Sequence, residues 1–457
     1  MEDKKRKKTK LTATQVILLG FLAAILTGSV ILSLPFCSAS GEWTPWLNSL
    51  FTASTSVCVT GLVVVDTFSY WSIVGKIVIL ILIQLGGLGI ISFTTGFLLV
   101  FRRKISLSGR ILLESAFNLD SLGGLVKFLR KVFKGTLCVE AAGALLCLPV
   151  FVPQFGLKGI WISVFHSVSS FCNAGIDIIC ESSLIPYAAN VYLMIVTMLL
   201  IIIGGIGFIV WWDVIDVTVK VKRGEIRRAR LLQSLSLHSK ITLTTTLVLI
   251  LGGGLLFSIF EWNNPDTLGQ YGFGTRILGG LFQSVTTRTA GFAAIDQGSM
   301  KPASVMVSIV LMFIGGSSVS TAGGVKTSTI ALVALSTFTV IKGRERVTAF
   351  KRTIPKDLIQ RALAIVTISI TAVFAAAVLL SIFEGSTFSD SLFETASALG
   401  TAGLSCGLSA HLTPVSKVLL SICMYLGRVG PISLATAFAR ASKEDMIKYP
   451  ERDITIG

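Results

Sequence analysis

Charged side chains are scarce in this sequence. Asp, Glu, Lys and Arg together make up 14% of the 457 residues, whereas 52% are hydrophobic and the mean hydropathy is +0.79. Soluble domains carry roughly 25% charged residues. The composition therefore excludes an ordinary soluble enzyme and predicts an integral membrane protein with several spanning helices.

Residues that carry most enzyme chemistry are also few. The chain has 3 histidines that form no cluster, and its 8 cysteines include no C-x-x-C pair and no histidine at metal-ligand spacing. It contains neither a phosphate-binding P-loop nor an H-E-x-x-H zinc motif. We therefore predict that the chain is not an enzyme, that it binds no cofactor, and that most of its cysteines are small apolar packing residues.

Long apolar runs recur along the chain in four pairs. A helix that spans a bilayer needs about 20 apolar residues. The sixth run, 302–340, is too long for one simple span. We predict an all-α membrane protein in which each pair comprises an outer and an inner helix, giving eight spans. The runs are 14–36 and 72–100, 132–152 and 190–212, 241–260 and 302–340, and 362–383 and 415–439.

Positive charge is concentrated in a few segments. The formal net charge is +16, and most of the 40 Lys and Arg residues lie before residue 11 or in 101–134, 220–240, 342–361 and 440–457. Eight spans place all these segments on one side, and an excess of Lys and Arg marks the cytoplasmic side. We therefore predict cytoplasmic tails at 1–13 and 441–457. The charge is assigned to topology and to attraction to anionic membrane lipid, with no nucleic acid as partner.

A glycine-ending loop lies between the two helices of every pair. The first copy reads Phe51-Thr-Ala-Ser-Thr-Ser-Val-Cys-Val-Thr-Gly61, after a short amphipathic run at Trp46–Ser56. The others end at Gly175, Gly291 and Gly403, at nearly constant spacing. Such a period indicates repeated structural units. We predict four pseudo-symmetric repeats, each of outer helix, pore helix, loop and inner helix, around one central pore, with boundaries at 14–104, 105–219, 220–345 and 346–440.

The loops suit a cation path made of backbone carbonyls. A ring of carbonyls can replace the hydration shell of an ion without charged side chains, and glycine permits close approach of the backbone. The pore helices would point their negative C-terminal ends at the same centre. The loops contain no acidic residue, which disfavours a divalent-cation channel. The predicted ion-binding residues of this selectivity filter, which would hold K⁺ at their carbonyls, are Val57, Cys58, Val59, Thr60, Gly61, Cys172, Asn173, Ala174, Gly175, Arg288, Thr289, Ala290, Gly291, Gly400, Thr401, Ala402 and Gly403.

Two irregular features interrupt the inner helices. The run 315–329 reads G-G-S-S-V-S-T-A-G-G-V-K-T-S-T, and irregular backbone is tolerated at membrane depth only where it lines water or is buried in protein. Arg428 replaces the second glycine of a Gly-Gly pair found in the other inner helices, and a mid-bilayer arginine costs roughly 2.5–3.5 kcal/mol. We predict that the run and Arg428 meet below the filter as a gate. The predicted gate residues are Gly315, Gly316, Ser317, Ser318, Ser320, Thr321, Gly323, Gly324, Lys326 and Arg428.

Lys326 and Glu140 also fall within the predicted spans. We expect the ammonium group of Lys326 to extend towards the cytoplasmic surface along its apolar stem. Glu140 follows the basic segment closely, and we expect it to reach the same surface in a structural role. A functional role for Glu140 stays open at this point.

The motifs together resemble the Trk/Ktr/HKT superfamily of potassium transporters. T-S-V-C-V-T-G-L, F-C-N-A-G, T-R-T-A-G-F and L-G-T-A-G-L resemble its four filter loops, 315–329 its intramembrane gating loop, and Arg428 its inner-helix arginine. No extra helix pair is expected before the first repeat, so the resemblance is strongest to KtrB-type subunits of bacterial Ktr systems. It implies a multi-pass protein of the bacterial plasma membrane that takes up K⁺ and is stimulated by Na⁺. It also implies a homodimer docked on a cytosolic KtrA-like ring that binds ATP or ADP.

Three alternatives are weighed against this interpretation. A sodium-coupled secondary transporter of organic solutes would be expected to show two inverted halves, whereas the four loops here run in the same direction. An intramembrane enzyme would need paired titratable groups, and Glu140 and Arg428 lie far apart in sequence. A sodium-selective relative is the third, and the resemblance associates serine at the first filter glycine with sodium preference. Gly61 stands at that position, which favours potassium.

Overall fold

The computed structural model describes residues 12–89 and 125–430. Five parts of the predicted organisation lie wholly or mostly outside the described residues. They are the tail 1–13 up to residue 11, the end of the first repeat after residue 89, the start of the second repeat before residue 125, the last ten residues of the fourth repeat, and the tail 441–457. Within the described ranges the protein is helical apart from loops, 3₁₀ turns and one two-stranded hairpin. The all-α prediction is confirmed.

The four outer helices are long and apolar on all sides. They satisfy the length and composition of a membrane span, as does one bent helix pair if it is counted as a single span, and no other helix in the described ranges does. The first begins at a capping box in which Thr12 accepts from the backbone N–H of Gln15, and it ends before Pro35. The outer helices are Ala13–Ser33, Leu125–Phe155, Leu237–Glu261 and Lys356–Glu384.

A short, deeply buried pore helix follows each outer helix. Each one carries a fully buried phenylalanine at the same register, namely Phe51, Phe165, Phe282 and Phe393. Hydroxyl and small side chains fill most of the remaining buried positions, so the pore helices can pack closely on their neighbours. The pore helices are Trp46–Cys58, Lys158–Cys172, Phe273–Thr286 and Phe388–Gly400.

Two of the inner helices are interrupted within their predicted spans, and the last parts of the first and fourth predicted spans, 90–100 and 431–439, lie outside the described residues. The second ends at Gly207, whose φ of +101° allows a bend of 97° into the next helix, so the continuous span expected at 190–212 is wrong. The third is interrupted by an irregular segment between residues 313 and 327, as its polar sequence predicted, although 327–329 belong to the following helix. The inner-helix segments are Ile73–Gly87, Val191–Ile206 with Phe208–Lys222, Pro302–Phe313 with Thr327–Ile341, and Pro414–Val429.

Smaller elements complete the described chain. Strands Thr348–Ala349 and Arg352–Thr353 form an antiparallel hairpin, which packs on the lower part of the third repeat through Ile354 and its neighbours. A further helix, Leu231–Ser234, precedes the third outer helix. The 3₁₀ turns are Pro35–Cys37, Ile185–Tyr187, Arg228–Arg230 and Leu408–His411.

The four repeats close into a ring. The first, second and fourth inner helices pack against their own pore helices, and the third packs against its own outer helix. Each inner helix also packs against the pore helix of the next repeat, and the fourth inner helix packs against the first pore helix. This cyclic order is what four copies of one unit around a single axis require. It brings the C-terminal ends of all four pore helices towards the centre.

Candidate functional site

A residue with left-handed backbone follows each pore helix. The residue two positions before each loop glycine has left-handed backbone, with φ of 55° at Val59, 58° at Asn173, 68° at Thr289 and 52° at Thr401. Non-glycine residues rarely adopt this conformation, and such strain is typical of functional sites. The next N–H returns to the pore helix, as where Ala174 donates to the carbonyl of Ser169 at 2.8 Å. In three repeats this residue caps the pore helix directly, and in the third repeat it comes after two further turn residues.

The four loop glycines meet one another. A Cβ atom built on Gly61 would lie 2.6 Å from the carbonyl oxygen of Ala174, and one on Gly175 would lie 2.6 Å from that of Ala290. All four glycines have positive φ. Because a side chain would be both strained and in collision, glycine is required at this ring.

The same contact continues around the ring. A Cβ on Gly291 would lie 2.8 Å from the carbonyl oxygen of Ala402, and one on Gly403 would collide with that of Thr60. Each loop glycine thus lies against the carbonyl of the residue before the loop glycine of the next repeat. Gly403 of the fourth repeat lies against the carbonyl of Thr60 in the first repeat, which closes the ring. Four backbone segments therefore surround a single axis.

Hydroxyl groups on the pore helices brace the loops from behind. Gly61 donates its N–H to the Oγ1 of Thr55 at 2.9 Å. Ser169 donates its hydroxyl to the carbonyl of Ile176 at 2.5 Å, and Thr286 donates to that of Phe292 at 2.7 Å. These bonds occupy backbone groups behind the ring and so limit the directions in which the loops can move.

Not every predicted filter residue belongs to the ring. Val57 and Cys58, Cys172 and Gly400 lie in the last turns of their pore helices. The side chain of Arg288 is buried and lines a small cavity beside Gly205 and Gly316, and its Nε has no partner among the described residues. The four loop glycines and the residue before each, Thr60, Ala174, Ala290 and Ala402, are the ones that the geometry brings together.

A vestibule opens beside the ring of loop glycines and is lined by residues that follow them in the chain. It has a volume of about 230 Å³, and all four loop glycines line it together with the acidic residues Asp66, Asp177, Glu181 and Asp296. Burial raises the pKa of Asp177 to about 6, and hydrogen bonds from Ser183 and the backbone oppose that shift. Above that pH Asp177 adds its own negative charge to the acidic lining of the vestibule, which attracts cations to the ring.

The irregular segment of the third repeat, residues 314–326, lies directly under the ring and is called the polar segment below. A Cβ on Gly323 would collide with the hydroxyl of Thr401, and one on Gly324 would lie 3.0 Å from the carbonyl oxygen of Gly400. On the other side, Ser317 donates its N–H to the carbonyl of Gly205 at 2.9 Å. The segment therefore fits between the fourth loop and the second inner helix.

The bend of the second inner helix is tied to this segment. Phe208, the first residue after the bend, donates its N–H to the carbonyl of Val319 at 2.8 Å. Thr321 donates its hydroxyl to the carbonyl of Phe171 at 3.0 Å. A change in the conformation of the segment would therefore alter its hydrogen bonds to both the inner helix and the pore helix of the second repeat.

Arg428 contacts the polar segment, as predicted. Its guanidinium donates to the carbonyl of Thr321, to that of Gly86 and, at 3.1 Å, to that of Gly87. Gly86 and Gly87 are the last residues of the first inner helix. One cation therefore joins three repeats just below the ring, and the backbone carbonyls are the partners that it needs at this depth.

Lys326 and Glu140 lie elsewhere than expected. The ammonium of Lys326 donates to the carbonyls of Ala322 and Gly323, at 2.7 Å and 3.3 Å, instead of extending to the surface. Glu140 is buried, with 5% of its surface exposed, and accepts from the Nε2 of Gln84 at 2.6 Å. Both predictions of surface contact are wrong because polar partners are available inside the protein.

Ser318 and Ser320 close the polar segment upon itself. The hydroxyl of Ser318 lies 3.0 Å from that of Ser328, and the hydroxyl of Ser320 donates to the carbonyl of Ser317 at 2.7 Å. These bonds are local and hold the shape of the segment. Gly315 packs against the carbonyl of Gly323 at its other end.

The glycine pairs of the inner helices have a packing role. Gly86 lies against the carbonyl of Val57, and Gly204 against that of Phe171. Gly427 lies in the same way against the carbonyl of Leu399. Each contact joins an inner helix to the last turn of its own pore helix, so these glycines allow the two helices to pack closely.

The fold and the site define a class of protein: an integral membrane protein whose four repeats converge on one glycine-lined axis. Comparison with known proteins agrees. The sequence profile of TrkH, described as a cation transport protein, matches residues 2–449. The chain belongs to this family of cation transport proteins, and its relatives are transporters and not enzymes.

Two relatives match along almost their whole length. The potassium/sodium uptake protein NtpJ of Enterococcus hirae is 40% identical over 461 residues, covering 99% of this chain and 99% of that protein. The Ktr system potassium uptake protein B of Bacillus subtilis is 35% identical over 457 residues, covering 100% and 99%. Similarity to the Ktr-type membrane proteins is thereby confirmed.

A solved structure shares the fold. The crystal structure of the potassium transporter TrkH from Vibrio parahaemolyticus superimposes with a TM-score of 0.73, covering 96% of this chain and 87% of that one. Sequence identity is 16%, so this likeness concerns the architecture alone. It supports the predicted arrangement of four pore repeats.

Proposed function

We propose that this chain conducts K⁺ into the bacterial cell as the ion-translocating subunit of a Ktr-type uptake system. The observation that carries the proposal is the ring in which Gly61, Gly175, Gly291 and Gly403 each lie against a neighbouring carbonyl. A monovalent cation that enters must exchange water for fixed oxygens, and a carbonyl ring offers them without a carboxylate. The pore-helix ends add negative potential at the same point.

The direction of uptake follows from the proposed topology. We assign the vestibule to the outside and the basic segments, with both termini, to the cytoplasm. An inside-negative membrane potential then drives cations inward by about 2.3 kcal/mol per charge per 100 mV. Acidic side chains of the vestibule, Asp66 and Asp296 among them, raise the local cation concentration on the entry side.

The segment between Ile314 and Lys326 is the proposed gate. Its support is position: it lies under the ring, and it is held by Arg428 from the fourth repeat and by Gly205 from the second. In this state it obstructs the path, and the guanidinium repels a permeating cation. Bond exchange with water would let so polar a segment move aside at low cost.

Partners form the regulatory part of the proposal. Relatives are named as proteins B and D of Ktr systems, and a system implies further components. We propose a homodimer that docks on a cytosolic nucleotide-binding ring through basic segments such as the exposed turn at Arg228–Arg230. Stimulation by Na⁺ and binding of ATP or ADP by the ring complete the scheme.

A sodium-permeable path is the second candidate function, because the Enterococcus hirae relative is named for both potassium and sodium. Uptake of labelled rubidium by proteoliposomes that contain this chain alone, at a set voltage and with or without Na⁺, separates the candidates. We expect voltage-driven rubidium uptake that excess K⁺ inhibits more strongly than Na⁺. Equal inhibition by both ions would favour the second candidate, and absence of voltage-driven uptake would contradict the proposal.

A further inference from the structure

One buried carboxylate belongs to the pore helices themselves. The residue after the buried phenylalanine of each pore helix is Thr52, His166, Gln283 or Glu394, and all four are buried. Glu394 is the acidic member of this set, with 0% of its surface exposed. A carboxylate at such depth is expensive unless hydrogen bonds satisfy it.

The partners of Glu394 all belong to the segment that follows the fourth loop. Ser405 donates its hydroxyl to one carboxylate oxygen, and Ser409 donates to the other at 2.7 Å. The backbone N–H groups of Cys406 and Ser409 interact with the same carboxylate. Ser405 follows Gly403 closely and also lines the vestibule, so the carboxylate holds the stretch of chain that leaves the ring.

The third repeat makes the corresponding link with neutral groups. Gln283 occupies the register of Glu394 and donates to the Oε1 of Gln297 at 2.6 Å, while Gln297 returns a bond at 3.3 Å. Gln297 stands at the same distance beyond Gly291 as Ser409 does beyond Gly403. An amide pair therefore suffices for packing at this register, and the carboxylate of the fourth repeat needs a different explanation.

We infer that Glu394 is a positioning residue for ion selection: its carboxylate fixes the outer end of the fourth loop and with it the carbonyls beside Gly403. A carboxylate is an acceptor only, with about four lone-pair sites, and it faces two hydroxyls and two N–H groups. An amide would present an N–H group where the carboxylate accepts, so one hydroxyl would have to reverse its role or one backbone N–H would lose its acceptor. The inference rests on the proposed function, since it assumes that the ring selects ions.

The test compares isosteric variants in proteoliposomes that contain the full-length chain. Glu394→Gln keeps the size of the side chain and removes two acceptor sites. We expect Na⁺ to inhibit rubidium uptake about tenfold more strongly than in the parent, as loss of about 1.4 kcal/mol of discrimination implies. The apparent KM for rubidium should rise more than the maximal rate falls, whereas loss of folded protein would lower the maximal rate alone.

Two further variants keep the test decisive if Glu394→Gln folds poorly. Ser409→Ala removes one donor and keeps the carboxylate, and it should shift selectivity in the same direction. Ser391→Ala removes a buried hydroxyl from the same pore helix, where its contact is Ser386 and not the loop, and it should leave selectivity unchanged. Unaltered Na⁺ inhibition in both Glu394→Gln and Ser409→Ala overturns the inference. Failure of the parent itself to take up rubidium overturns the proposed function instead, so the two failures are distinguishable.

Discussion

Removal of the polar segment under the ring is the sharpest perturbation that the structure suggests. Deleting Ser317–Ala322 eliminates Thr321 and with it the contacts to Arg428, Phe171 and Gly204. It also removes the carbonyl of Val319, which holds the bend of the second inner helix. We expect ion flux to rise and to depend less on any regulatory partner.

The magnitude follows from the charge that the segment holds in place. A guanidinium at about 6 Å from a permeating cation, at an effective dielectric constant of 20, repels it by about 3 kcal/mol. Such a barrier slows passage by about a hundredfold. Arg428→Gln should therefore recover part of the increase, and Arg428→Lys, which keeps the charge, should recover little.

The assay is the initial rate of rubidium uptake at fixed voltage, normalised to the amount of protein in the membrane. Arg428→Lys serves as the matched control for loss of the guanidinium fork without loss of charge. Flux through the deletion variant at or below that of the parent, at equal abundance, would refute the gate and leave the segment as a packing irregularity.

Three other predictions concern different parts of the molecule. Reversing the charge of Arg227, Arg228 and Arg230 should weaken co-purification of a nucleotide-binding ring, and an unchanged yield would leave these residues as topology signals alone. Lowering the pH from 7.5 to 5 should neutralise Asp177, because its pKa of about 6 lies between the two values. Uptake at low rubidium concentration should then fall by about twofold, since the vestibule loses a negative charge that attracts cations. The Asp177→Asn variant should show a weaker dependence of uptake on pH. Glu140→Ala should lower the melting temperature in detergent because it leaves the buried amide of Gln84 without this acceptor, at a cost of about 1–3 kcal/mol. Glu140→Gln should lower the melting temperature less.

The repeat architecture was predictable because the same pattern, a glycine-ending loop between two apolar runs, occurs four times in the sequence. Apolar runs and a glycine at constant register do not depend on knowing which helices touch. The contact between Arg428 and the polar segment was predictable for a related reason: an arginine at membrane depth must find acceptors, and free backbone carbonyls lie in that segment. Thr321 is the residue that supplies one of them.

Features that depend on the direction of a side chain were not predictable. Glu140 lies near a basic segment in sequence, but its helix turns it towards Gln84 and away from the surface. Lys326 has carbonyls of its own segment within reach and does not extend outward. The helix that carries Glu140 is apolar on most sides around that residue, so periodicity cannot reveal which face is buried.

The bend at Gly207 shows the same limit for the backbone. A glycine in an apolar run is compatible with a straight, closely packed helix or with a break. The choice was decided by a distant partner, the carbonyl of Val319, which accepts from Phe208. Glu394 was overlooked for a similar reason, since its role depends on serines that come close only after the loop has formed.

The central claim is that four glycines form the ion-selective ring, and Gly403→Ser tests it most directly. A side chain there would collide with the carbonyl of Thr60 and would lie 2.9 Å from the Cα of Gly61. Gly252→Ser is the matched control, because nothing lies within 4 Å of the added atom. The account predicts that Gly403→Ser lowers the preference for potassium over sodium in uptake assays more than it lowers expression, while Gly252→Ser matches the parent. Relative potassium and sodium affinities that remain unchanged in Gly403→Ser would contradict the account.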